Sequence, residues 1–195
     1  MSSNHLFLDT KELILASASP RRKKIMEMLD LDFTIKVSSF EEEKINDYSP
    51  VELVKYNSKM KSNEIGKQNK NAIVVGADTV VVKGNRVFEK PNSYTEAFRI
   101  LRELSDSTHE VLTGFTILDT ERGKELSQCE STSVKFDKLS ERLIEYYLDN
   151  YKYSDKAGSY AIQDFSAIFV KSIEGCYYNV MGFPISAFGK ALRSF

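Results

Sequence analysis

Two stretches of this sequence put charged residues where local stability alone would not place them, and any chemistry is to be sought there. The first is Leu13-Ile14-Leu15-Ala16 running into Ser17-Ala18-Ser19-Pro20-Arg21-Arg22-Lys23-Lys24. The apolar run reads as a strand, and Pro20 suits the first position of a helix capped by Ser19. Four cations at a helix N-terminus oppose its macrodipole and crowd its free N–H groups, so an anion is expected to compensate them. A phosphate placed there would accept bonds from the N–H groups and the serine hydroxyls while pairing with the guanidinium forks. The competing reading is a solvated basic turn, with Lys23 and Lys24 as bystanders on the outer face. A strand followed directly by serine, proline and two arginines favours the phosphate.

The second stretch is Ile73-Val74-Val75-Gly76-Ala77-Asp78-Thr79-Val80-Val81-Val82, an ordinary buried strand but for the carboxylate at its centre. A buried acid is costly unless a cation, a metal or hydrogen-bond donors meet it. The alternative is an aspartate capping a bend beside Gly76. Gly84-Asn85 then signals a two-residue hairpin, with Arg86-Val87-Phe88-Glu89 returning antiparallel. If Lys83 pairs with Arg86, Thr79 falls opposite Lys90 and Asp78 opposite Pro91, which brings Lys90 beside the acid.

The elements that must position these groups follow from the apolar pattern. Strands are expected at Leu13–Ala16, Phe33–Val37, Ile73–Val82 and around Val111–Leu118, with Thr132–Phe136 and Ala167–Val170 as further candidates. Ser49-Pro50-Val51-Glu52 and Ser93-Tyr94-Thr95-Glu96 are capping boxes that open helices. Ala97, Phe98, Leu101 and Leu104 share one helical face, as do Leu143, Ile144, Tyr147, Leu148 and Tyr151. Strands alternating with helices argue for an α/β fold with a mixed sheet and flanking helices.

The bulk properties bound the answer. With 195 residues and 42% hydrophobic content the chain can bury one core or two closely joined lobes. Without repeats or linkers it reads as one continuous domain over 1–195. Lys and Arg total 27 against 28 Asp and Glu, so there is no global field for a nucleic-acid polymer, and anions must be met locally. Cys129 and Cys176 form no metal or disulfide pattern, no apolar run is long enough to span a membrane, and the N-terminal apolar run is too brief for a signal sequence. A cytoplasmic location is expected. A P-loop motif and a nucleophile elbow are both absent, and zinc hydrolysis would have only His5 and His109 to draw on. His109 reads as structural.

SASPRR at 17–22, GADTVV at 76–81, EKP at 89–91, TGF at 113–115, DKAGSYAIQ at 155–163 and YNVMGFPI at 178–185 together resemble the Maf family of nucleoside triphosphate pyrophosphatases, in the family's order and over nearly the whole chain. The resemblance implies a fold like that of the inosine triphosphate pyrophosphatases, with two lobes around a central cleft. It also implies a nucleoside triphosphate substrate and a divalent cation, usually magnesium, and leaves a homodimer open. Carried over residue by residue, Asp78 resembles the family's proton acceptor, and Ser19, Arg22, Glu42, Lys59 and Lys90 match its other polar residues. Asp78 with Glu42 would then hold the metal or orient the attacking water. Arg22, Lys59, Lys90 and the Ser19 terminus would neutralise the phosphates.

Glu42 sits in the acidic run Glu41-Glu42-Glu43, where the match could slip by one, and Lys59 lies between Lys55 and Lys61, where an exposed lysine is the alternative. Arg21, Thr79 and Gln163 match the positions that set the base, in the branch acting on dTTP and UTP rather than 7-methyl-GTP. The chain departs from the common pattern at Ala161, Asp164 and Cys176. Two other readings stand beside this one: a non-catalytic nucleotide-binding or division-regulating module, and a purine-directed pyrophosphatase acting on inosine triphosphate.

Overall fold

The computed structural model describes residues 11–43 and 48–195, so His5 lies outside the described residues. In chain order they form β1 (Glu12–Leu15), α1 (Pro20–Glu27), β2 (Thr34–Ile35), α2 (Pro50–Gly66), β3 (Ala72–Lys83) and β4 (Arg86–Phe88). There follow α3 (Tyr94–Leu104), β5 (Thr108–Asp119), β6 (Lys124–Phe136), α4 (Glu141–Asn150), β7 (Val170–Glu174), α5 (Tyr177–Val180) and α6 (Ile185–Ser194). No helix among the described residues is long and apolar enough to cross a membrane.

The described strands make a seven-stranded mixed sheet of order β2-β1-β3-β5-β6-β7, with β4 paired to β3. β1 runs parallel to β2 and β3, whereas β4 is antiparallel to β3 and β7 to β6. This is the α/β class expected. The hairpin register is also as expected, Lys83 against Arg86, and Gly84 takes a φ of 58° that the turn requires. Pairing stops at Val81 with Phe88, however, so the ladder does not carry Lys90 to a place opposite Thr79.

A second expectation fails at Ala167–Val170, most of which lies in a 3-10 turn over Phe165–Phe169, the strand beginning only at Val170. The Ser166 hydroxyl accepts from the Ala161 N–H at 3.0 Å and donates to the Ala161 carbonyl at 2.9 Å, closing a compact loop that an extended chain could not make.

Helix starts follow their local signals. Glu52 N–H donates to the Ser49 hydroxyl at 3.3 Å and the Glu52 carboxylate accepts from Ser49 N–H at 2.9 Å, so the first capping box is complete. At α3 the Ser93 cap forms, but the Glu96 carboxylate reaches one residue further back, to Asn92 N–H at 2.8 Å.

The chain divides into two compact units. The first gathers the residues up to Asp78 with Thr113–Glu130 and Gly182–Phe195, and the second Thr79–Leu112 with Ser131–Met181. In the second, Val81, Phe88, Leu101, Phe136, Tyr147 and Phe169 belong to one core. In the first, Ile14, Ala16, Ile65, Ala72 and Val74 pack together. Here α2 lies unusually close to the sheet, because two glycines admit its backbone. A Cβ on Gly76 would stand 2.1 Å from the Ser58 carbonyl oxygen, and one on Gly114 would stand 2.3 Å from that of Val54. Only hydrogen fits at either point, and the buried face of α2 is thereby pressed against the strand that carries Asp78.

Candidate active site

Asp78 is 6% exposed, and both of its oxygens are held by side chains of α2. Lys61 Nζ donates to Oδ1 at 2.9 Å and Asn57 Nδ2 donates to Oδ2 at 3.0 Å. The same ammonium donates to Glu42 Oε1 at 2.6 Å and to the Ala77 carbonyl at 3.3 Å, so its three N–H bonds meet three acceptors. Lys61 is therefore the cation that makes a carboxylate in an apolar strand tolerable. Its own side chain is 8% exposed, against 41% for that of Glu42.

The turn after β1 brings a second cation to the same strand. Ser19 caps α1 by accepting from Arg22 N–H at 3.4 Å, and no acidic residue occupies the first turn. Arg22 folds inward: Nε donates to the Gly182 carbonyl at 2.9 Å, and Nη1 donates to Ala77 O at 2.9 Å and to Ser17 Oγ at 3.2 Å. Burial pulls this guanidinium below the ordinary arginine value, while the fields of Asp78 and Glu42 favour its charged form. An arginine side chain remains protonated in proteins regardless. Two anions and two cations, Asp78, Glu42, Lys61 and Arg22, thus cluster beside a serine-capped helix start whose N–H groups face no acidic partner of their own helix. Lys23 pairs with Glu27 and Lys24 is exposed, which fits bystanders on the outer face.

Lys59 is not among these residues. Its side chain is 47% exposed and pairs with Glu125 at 2.8 Å. Two helical positions separate it from Lys61, which turns it to another side of α2, and it is Lys61 that meets Asp78 and Glu42. Asn57 is the other residue that sequence reasoning missed. A signal for both was present: the buried stripe of α2 runs Leu53, Val54, Asn57, Ser58, Lys61, Ser62, Ile65, apolar at its ends and polar in its middle. A buried helical face that turns polar for one and a half turns is a candidate site.

Thr79, Lys90 and Gln163 belong to the second unit. Thr79 is half-buried and Lys90 exposed, while Arg21 in the first unit is half-buried. The Gln163 Oε1 atom is buried and accepts no hydrogen bond among the described residues.

Two other candidates for nucleophile or base are unsuited. Burial pushes the Cys129 thiol up to about 11, so it carries no thiolate near neutrality. Burial lowers His109 to about 4, and its Nε2 is engaged with the Tyr160 hydroxyl at 2.8 Å. Among the described residues no group of three or more His, Cys, Asp or Glu side chains forms a ready cage for a metal. Glu42 and Asp78 nevertheless aim oxygens at one cationic point, the Lys61 ammonium. A pair of carboxylates fits magnesium, which proteins commonly hold by one or two carboxylates with phosphate oxygens and water completing its shell.

Comparisons with known proteins bear on the family of the chain. The family model described as Maf-like protein matches residues 12–195. The dTTP/UTP pyrophosphatase of Clostridium perfringens (strain SM101 / Type A) is 42% identical over 186 residues, covering 94% of this chain and 97% of that protein. The dTTP/UTP pyrophosphatase of Thermosipho melanesiensis is 45% identical over 175 residues, 90% of this chain and 93% of that protein. That of Desulforamulus reducens is 38% identical over 185 residues, 95% and 97%. With a family model spanning almost its whole length and relatives of this identity end to end, the chain belongs to the Maf family.

Proposed function

We propose that the protein is a nucleoside triphosphate pyrophosphatase that hydrolyses dTTP and UTP to the monophosphate and pyrophosphate. The observation that carries this reading is Asp78, a buried carboxylate fixed at both oxygens beside the Arg22 guanidinium and the start of α1. The names borne by the relatives supply the substrate class.

In the proposed reaction the oxygen of one water attacks the α-phosphorus while Asp78 takes its proton. The bond from the α-phosphorus to the oxygen bridging to the β-phosphorus breaks, and pyrophosphate leaves with the electron pair. Such a displacement needs a positioned water and compensated charge rather than a covalent nucleophile. Lys61 assumes the role expected of Lys59, neutralising charge on the phosphates, with Arg22 beside it. Ser19 and the first N–H groups of α1 receive phosphate oxygens, and Lys90 is assigned to the phosphates as well. Glu42 and Asp78 would hold the divalent cation, which when bound polarises a phosphoryl oxygen and offsets its charge. Arg21, Thr79 and Gln163 are assigned to the base. Uracil and thymine both offer an N3–H donor, the complement of the Gln163 Oε1 that lacks a donor among the described residues. The cytoplasm, where nucleoside triphosphates are made, is the compartment that suits this activity.

The test is a panel of triphosphates carrying uracil, thymine, cytosine, hypoxanthine and 7-methylguanine, assayed for pyrophosphate with magnesium and with a chelator. Turnover of UTP and dTTP should exceed that of the others by about 10-fold or more and be lost with the chelator. Equal rates on all bases would remove the pyrimidine assignment. Binding without turnover would favour a nucleotide-binding module, and preference for hypoxanthine the purine-directed enzyme.

A further inference from the structure

Residues 38–43 carry Glu42 yet belong to no helix or strand, so their backbone groups must find partners elsewhere. Those partners come from one face of α2. Glu64 accepts from the Ser38 and Ser39 hydroxyls and from Phe40 N–H at 3.0 Å. Lys61 holds the Glu42 carboxylate. Asn57 holds Glu43 at two points: its Oδ1 accepts from Glu43 N–H at 3.1 Å and its Nδ2 donates to Glu43 O at 3.2 Å. Positions 57, 61 and 64 are spaced by four and three, so they stand on one helical face like pegs on a rack.

Two of the three grip both the segment and the acid: Lys61 bridges the carboxylates of Glu42 and Asp78, whereas Asn57 ties the backbone of Glu43 to Asp78. Of its two Nδ2 hydrogens, one goes to the Glu43 carbonyl and the other to Asp78 Oδ2. The amide cannot be reversed to suit either partner alone, because its oxygen is required by Glu43 N–H. It is 2% exposed, so solvent offers no substitute for a lost bond. We infer that Asn57 is a positioning residue for the proposed hydrolysis, setting the rotation of the Asp78 carboxylate and the height of Glu42 above it through one amide. The inference rests on Asp78 acting as the proton acceptor. None of these three bonds of Asn57 touches the α1 phosphate cradle, so its loss should disturb the reacting geometry more than binding.

The experiment measures kcat and KM for dTTP with the whole protein and magnesium, in the unaltered chain and in Asn57→Leu, Asn57→Asp, Glu42→Gln and Glu42→Gln/Asn57→Leu. Leucine keeps the branched heavy-atom skeleton and favours the helix, so it removes the clamp without opening a cavity. Aspartate keeps the acceptor for Glu43 N–H but turns an acceptor toward Asp78. In folded Asn57→Leu and Asn57→Asp kcat should fall about 10- to 100-fold, the scale of a small misplacement, while KM shifts by less than about threefold. In the Glu42→Gln background Asn57→Leu should cost distinctly less than in the unaltered chain, because part of its effect passes through Glu42. An unaltered kcat in either folded variant, or a loss confined to KM, overturns the positioning role while leaving the hydrolase reading intact. If the unaltered protein itself releases no pyrophosphate, the hydrolase reading and this role fall together. Should leucine unfold the chain, the isosteric aspartate variant decides.

Discussion

Replacing Asp78 with asparagine is expected to lower pyrophosphate release from dTTP by about a thousandfold, within the range for loss of a general base. Binding should survive. The substitution removes an anion from beside a polyanionic ligand, so the dissociation constant for dTTP, measured without a divalent cation, should stay the same or fall. Calorimetric titration together with a pyrophosphate assay separates the two effects. The change is nearly isosteric, and Lys61 retains Glu42 at 2.6 Å and the Ala77 carbonyl as partners, so the fold should persist. Loss of binding in step with loss of turnover would mean that Asp78 serves the ligand's affinity rather than the reaction.

The second large effect contrasts two lysines two residues apart. Lys61→Met leaves Asp78, whose side chain is 8% exposed, with Asn57 but without its ammonium. Removing one partner of a buried ion pair costs about 3 kcal/mol or more in stability, and turnover should fall by about a hundredfold or more with it. Lys59→Met removes only an exposed pair with Glu125, so stability should change by less than about 0.5 kcal/mol and turnover hardly at all. Chemical denaturation and steady-state assays on the two variants check this. The reverse pattern would restore Lys59 to the site and remove Lys61 from it.

That contrast also marks where the sequence stops being legible. Features governed by neighbours in the chain could be read directly: the Ser19 and Ser49 caps, the Gly84-Asn85 turn with its Lys83–Arg86 register, and the core faces of α3 and α4. Asp78 stood out because a carboxylate in an apolar strand is a chemical anomaly wherever the strand lies. Which lysine answers it was not legible, since that depends on the rotation of α2 about its axis. The rotation is set by contacts of Gly76 and Gly114 with the α2 backbone, and no local pattern encodes those.

The same limit explains the rest. Residues 38–43 take their shape from side chains of α2, so their lack of periodicity concealed a held segment, and the misplaced strand at Ala167–Val170 arose from a Ser166–Ala161 tie within a short apolar run. The ladder that was to set Thr79 opposite Lys90 ends at Phe88.

Everything argued for catalysis requires that water be delivered to the α-phosphorus with Asp78 as its proton acceptor. Turnover of dTTP in heavy-oxygen water, followed by mass analysis of both products, tests this most directly. One heavy oxygen in each thymidine monophosphate and none in pyrophosphate is the predicted outcome. Label in the pyrophosphate would place the attack on the β-phosphorus and contradict the proposed chemistry.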